Sequence, residues 1–309
     1  MGITDPELLE PHDLGTLGGD ESFAIAINNH GQVVGVSKIS LGAMHAFIWE
    51  DGEMSDLGTL GGSRGYAYDI NDHGQVVGVS EISMGERHAF LWQDGDMIDL
   101  GTLGGDESFA IAINYHGQVV GESRTSSGET HAFLWEDGEM IDLGTLGGVQ
   151  SHASDINDRG HVVGASKTSS GATHAFLWKE GEMTNLGTLG GDQSHAYGIN
   201  ESGQVVGESQ TSSGAMQAFL WEDGEMTRLG TLGGARSYAY DISGRGQVVG
   251  ASMTSSGETH AFLWEDGEMT DLGTLGGDDS CAYGLNESGQ AVGGSETISF
   301  DPHATLWEH

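Results

Sequence analysis

Three sets of residues in this chain have types and spacings that could do chemistry. The first is a histidine at His45, His88, His131, His174, His260 and His303, each opening an apolar run that leads to tryptophan. One histidine per repeated unit is spread too widely for several to share a metal at the bonds of about 2 Å that zinc needs, so a structural hydrogen-bonding role is expected. The second set is Asp69, Asp155 and Asp241, which occupy one position in alternate copies of the unit, where Ala26, Ala112, Gly198 and Gly284 stand in the others. Three carboxylates converging on an axis could hold calcium, which takes roughly six to eight oxygens in irregular geometry. Hydrogen bonding of each Asp to nearby backbone amides is the competing reading. The third set is Tyr66, Tyr68, His152, His195, Tyr197, Tyr238, Tyr240 and Tyr283, from the second and fourth positions of one short apolar segment. Rings with a polar tip suit a ligand-binding surface, although drift after duplication would also scatter such changes.

The elements that must position these residues follow from the repeat. The residues opening each LGTLGG, namely Asp13, Asp56, Asp99, Asp142, Asn185, Arg228 and Asp271, are 43 apart, and so are all seven tryptophans from Trp49 to Trp307. A period of about 40 to 45 residues with four short strands is the mark of a propeller blade. In the first copy the strands are expected at 22–28 (A, innermost), 32–37 (B), 45–49 (C) and 53–60 (D). Asp51-Gly52 makes the tight C-to-D turn, because both residues tolerate positive φ. Gly61-Gly62 is expected to release the chain into the next copy. Strand A carries Ala at its third and Ile or Leu at its sixth position; their opposite parity predicts that both faces are buried. Each Trp is expected to wedge between blades.

The ends of the sequence predict closure. The last copy stops after its third strand, and a lone fourth-strand text lies at Asp13–Gly19. If that segment completes the last blade, both unpaired edges vanish. The expected fold is all-β, a closed seven-bladed β-propeller with four antiparallel strands per blade, forming a single domain over 1–309. The repeats run 20–62, 63–105, 106–148, 149–191, 192–234, 235–277 and 278–309, the last completed by 9–19.

Composition narrows the function classes. Ten basic residues face 47 acidic ones, a formal net charge of -37. Such a field repels nucleic acid and anionic membranes, and strains the fold unless salt screens it. Adaptation to high salt and a cation-collecting surface both fit. One cysteine, Cys281, excludes an internal disulfide framework. No apolar run is long enough to span a membrane, and no leader is visible, which fits a cytoplasmic chain or an exported one already processed. There is no GxSxG, HExxH, Walker or EF-hand motif. Ser151, Ser194, His152, His195 and Asp155 could be assembled into a triad, but serine recurs at that position in six of seven copies. Asn200-Glu201-Ser202 and Asn286-Glu287-Ser288 match the glycosylation sequon in turns expected to be exposed.

The texts HAFLW, INDxGQVVG and DLGTLGG recur in fixed order and resemble the HAF-repeat family of bacterial and archaeal extracellular repeat proteins. The resemblance implies a propeller-like, exported protein and carries no activity with it. The histidine of HAF is similar to the structural histidine of WD-repeat blades, which pairs with Ser or Asp of its own blade. Two copies depart: Gln217 replaces the histidine in the fifth, and Pro302-His303-Ala304-Thr305 replaces xHAF in the seventh. The expected function is a non-enzymatic binding or interaction scaffold. It would use the face shared by the D-to-A and B-to-C loops, with a protein, glycan or small molecule as partner, and act as a monomer. The alternatives are a hydrolase or lyase with a site at the channel mouth, and a calcium-binding propeller.

Overall fold

The computed structural model describes residues 14–307 and contains only strands and turns. Blade one is typical: strands Gly18–Ile27 (A), Val33–Ile39 (B), Met44–Glu50 (C) and Glu53–Gly58 (D) pair antiparallel in sequence order. The same meander repeats in the next five blades, beginning at Gly61, Gly104, Gly147, Gly190 and Gly233. A seventh blade has three described strands, Gly276–Leu285, Ala291–Thr297 and Pro302–Trp307. Strands A of neighbouring blades contact one another in series, so they form the inner wall. At every C-to-D hairpin the acidic residue and its glycine adopt positive φ, as at Asp51 (52°) and Gly52 (88°), which is the twist a two-residue loop requires.

Strand A begins earlier than the sequence suggested. Gly61 and Gly62 do not release the chain but open strand A of blade two, with Gly61 opposite Ile82. They are glycines because Gly61 sits at φ +100°, and because a Cβ on Gly62 would lie 2.5 Å from the Glu81 carbonyl oxygen.

The parity argument for strand A also fails, for a specific reason. The register slips between Ala67 and Asp69, leaving Tyr68 as an extra residue. A bulge of this kind restores phase, so Ala67 and Ile70 turn to the same side. Both join Val76 and Phe90 against Val34, Ala46, Ile48 and Leu57 of the preceding blade. The bulge brings the chains so close that a Cβ on Gly78 of strand B would sit 2.0 Å from the Tyr66 carbonyl oxygen. This accounts for the constant glycine of QVVG.

Five clusters of this composition and a smaller sixth join seven blades in succession. Phenylalanine rather than tryptophan fills five of them, with Phe90, Phe133, Phe176, Phe219 and Phe262 each 0% exposed, while the sixth, between blades six and seven, holds none. The tryptophans are half-buried, and the six from Trp92 to Trp307 pack onto the clusters from the rim, Trp178 against the interface of blades three and four.

Among the described residues no seventh cluster and no strand pairing joins blade seven to blade one. The expected closing segment begins at Asp13, outside the described residues; Gly18 and Gly19 belong to strand A of blade one. The faces that would meet carry apolar side chains left open, Ile27 at 64% and Val292 at 48% exposure, where their counterparts elsewhere are buried.

Candidate functional site

The histidine of each HAF text is a strut. His45, His88, His131 and His260 place Nδ1 2.8–3.0 Å from the carboxylate of Asp56, Asp99, Asp142 and Asp271 on strand D or at its end. His174 does the same to Asn185 Oδ1 at 3.0 Å. The acceptor also takes the amide two residues on, as Asp56 Oδ1 does from Gly58 N at 2.8 Å, which ties the motifs HAF and DLG together. In the fifth blade both partners change together, to Gln217 and Arg228. The histidine of the seventh, His303, has its counterpart acidic residue at Asp13, outside the described residues.

Asp69, Asp155 and Asp241 act as clamps. Asp69 Oδ1 accepts from its neighbour Ile70 N at 2.8 Å and Oδ2 from Ile113 N of the next blade at 2.9 Å. Asp155 joins Ile156 to Ile199, and Asp241 joins Ile242 to Leu285, in the same way. Each carboxylate therefore satisfies two inner-strand amides, which explains its alternation with Ala or Gly: the next blade needs no carboxylate of its own. Among the described residues no three His, Cys, Asp or Glu side chains gather as a metal would require. Burial pushes the Asp69 carboxyl up to about 6 and the Asp155 carboxyl up to about 7, against the amide bonds that favour the ionised form. Burial likewise raises Asp241.

The aromatic set divides. Tyr197, Tyr240 and Tyr283, the bulge residues of blades five to seven, touch in a row with centroids 5.9 and 5.5 Å apart. His195 stacks beside Tyr197 and Tyr238 beside Tyr240, each at 6.4 Å. Glu208 of strand B, 9% exposed, accepts from the Tyr197 hydroxyl at 3.0 Å. His195 Nδ1 lies 3.3 Å from Glu208 Oε1 but off the line of a hydrogen bond, and no other group bonds it. Burial, reinforced by Glu208, holds the Tyr197 phenol well above its usual range, and burial does so for Tyr240. Both phenols are neutral donors at any ordinary pH.

Tyr66, Tyr68 and His152 do not join this row. Tyr66 lines a narrow cleft with Arg64, Glu81 and Arg87. His152 Nδ1 is held by Glu122 of the preceding blade. Ser151 and Ser194 take no part in a triad: each hydroxyl is buried and joins blades, accepting from Ala132 N and Ala175 N and donating to the Gly144 and Gly187 carbonyls. Asn200 is buried, and its amide donates to Gln204 and to the Ser243 carbonyl, so the first sequon hides its asparagine although Glu201 and Ser202 of the turn are exposed. Asn286 is exposed.

The D-to-A and B-to-C loops do share a face, where Thr173 bridges Gln193 and a cleft of about 410 Å³ opens between blades four and five. A second concavity, of about 330 Å³, opens at the opposite end among the A-to-B turns of blades one to five. It is ringed by Asn29, Asp72, Tyr115, Asp158 and Glu201, which the sequence reading passed over. Their signal was available, since this turn position varies among copies as much as the loop after Gly-Gly. Glu122 and Glu208 were missed for the same reason, as strand B otherwise has Val, Ala or Gly there.

No family model matches the chain, and no curated protein is similar to it in sequence. Solved structures are similar in fold. The β-propeller domain of the Trilobed protease from Pyrococcus furiosus, described as having an open velcro topology, aligns with a TM-score of 0.60 at 9% identity over 93% of each chain. The acylaminoacyl peptidase of Pyrococcus horikoshii aligns at 0.57 and 13% identity, over 93% of this chain and 51% of that one. A puromycin-hydrolyzing peptidase of Mycobacterium tuberculosis aligns at 0.53 and 14%, over 83% and 44%. The chain thus spans about half the length of these two peptidases. At such identities the likeness shows the fold alone, a propeller-type array of four-stranded blades.

Proposed function

We propose that this protein is a non-enzymatic binding scaffold whose ligand surface is the inner wall of blades five to seven. The observation that carries the reading is the contact row Tyr197, Tyr240 and Tyr283 beside Glu208. Scaffold positions repeat from blade to blade, whereas this arrangement occurs in one arc of the wall. A hydrolase reading has no support in the serines, whose hydroxyls are already occupied between blades. The experiment is a glycan and metabolite binding screen in molar salt with the intact chain and its Tyr240→Leu variant. A ligand lost on that substitution is expected; a ligand retained by it would move the site elsewhere.

The proposal extends to the whole ring. The open faces of blades one and seven are the same two faces that bury each other at the six existing interfaces. Closure through the segment ahead of Gly18 would cover Ile27 and Val292 and give His303 its partner in Asp13. With Cys281 replaced by Ser, the pair Asp13→Cys and Thr305→Cys occupies the positions of the Asp56 and Phe47 partners. Closure predicts spontaneous disulfide formation within the monomer; reduced thiols, or only dimers, would refute it. The HAF-repeat relationship and adaptation of the acidic surface to high salt belong to the same proposal, supported by the recurring motifs and the net charge of -37.

A further inference from the structure

The tyrosine row also has a chemistry that selects among ligands. Tyrosine faces are electronegative and attract cations, most strongly when the cation is weakly hydrated and comes out of water. Here the interplanar tilts of 46° and 41° follow the turn from blade to blade, so three adjoining ring systems present one continuous surface. Behind it lies Glu208, a buried carboxylate with no ion pair to any lysine or arginine among the described residues. Among the described residues the ion pairs to Lys and Arg are at Lys38, Arg87 and Arg124, in blades one to three. The one basic side chain described beside it is His195, whose Nδ1 at 3.3 Å makes no hydrogen bond, and a buried carboxylate so thinly paired is costly; a bound cation would remove much of that cost.

The other arc of the wall lacks the combination. Its bulge residues are Ile25, Tyr68, Ile111 and Ser154, and its only equivalent carboxylate, Glu122, is engaged by His152. Inorganic metal ions are poorly served by this site, because they need several oxygen or nitrogen ligands and no such group gathers here among the described residues. The net charge of -37 enriches cations near the surface and disfavours anions.

Resting on the reading of this wall as the binding surface, we propose that its ligand is an organic cation bearing a methylated ammonium group, seated on Tyr197, Tyr240 and Tyr283 with Glu208 as counter-ion. The test is calorimetric titration of the intact chain with choline, with its uncharged isostere 3,3-dimethylbutan-1-ol, and with methyl glucoside. Choline is expected to bind about tenfold tighter than the isostere. Glu208→Gln should bring choline close to the isostere, and Tyr283→Leu, at a 60% exposed position, should weaken it. Equal binding of choline and isostere, or binding of the glucoside alone, would overturn the cation assignment while leaving the binding surface in place. If no probe binds, and no ligand of the wider screen is lost in Tyr240→Leu, both readings fall.

Discussion

At the scale of single residues, the repeated letters turn out to be joints. The HAF histidine and the DLG aspartate form one strut; blade five loses both, to Gln217 and Arg228, and blade four keeps the strut with Asn185 as acceptor. Phe176 is fully buried between blades three and four while Trp178 caps that interface from the rim. Phe176→Ala is therefore expected to cost about 3 to 5 kcal/mol, and Trp178→Ala less, about 1 to 3 kcal/mol, in chemical denaturation. The reverse order would return the wedge to tryptophan. The buried clamps predict a pH dependence. The folded-state carboxyls of Asp155 and Asp69, raised to about 7 and about 6, hold protons that the unfolded chain releases near the ordinary value of 3.8. Their contribution to stability is thus full below pH 3.8 and falls as pH rises towards 7. Asp155→Asn should flatten the stability profile across that window at fixed ionic strength; an unchanged slope would mean the carboxyl is ionised in the folded protein throughout. These clamps were legible in the sequence as an alternating position, but not their purpose. Spacing reports that a residue faces the axis, and says nothing about which amides lie unsatisfied beside it.

At the scale of elements, the period, the four strands, the C-to-D turn and the placement of aromatic residues on the innermost strand were all readable from the repeat. The bulge was not, since nothing in the apolar pattern of strand A marks Tyr68 as an inserted residue; its trace is the obligatory glycine of strand B. A missing joint can be restored as a test. Five serines, Ser108, Ser151, Ser194, Ser237 and Ser280, accept from the Ala amide of the preceding blade's strand C. Gly65 stands at this position in blade two, where a Cβ would lie 3.5 Å from Ala46 N. Gly65→Ser should supply the absent acceptor and raise stability by about 1 kcal/mol in thermal or denaturant unfolding. A loss of stability would mean that the 3.2 Å approach of that Cβ to the Gly58 carbonyl outweighs the bond.

At the scale of the whole molecule, the sequence conveyed a wheel, and the described residues form an arc of seven blades with six interfaces. A repeat can specify how each unit meets the next, but only the ends decide whether the last meets the first, and those ends are the least repetitive part of the text. The acid excess acts at this scale too. With few lysines or arginines to pair, the charge is screened mainly by dissolved ions, and the melting temperature is expected to rise as salt goes from about 0.1 to about 1 M, where the Debye length falls from about 10 to about 3 Å. A melting temperature independent of salt would remove self-repulsion from the account. The aspartate clamps leave one more mark on the body as a whole. They bolt blade two to three, four to five and six to seven, and skip the junctions between. Drawn out from its termini under force, the protein should consequently come apart in couplets, giving extension steps of two repeat lengths with blade one released singly.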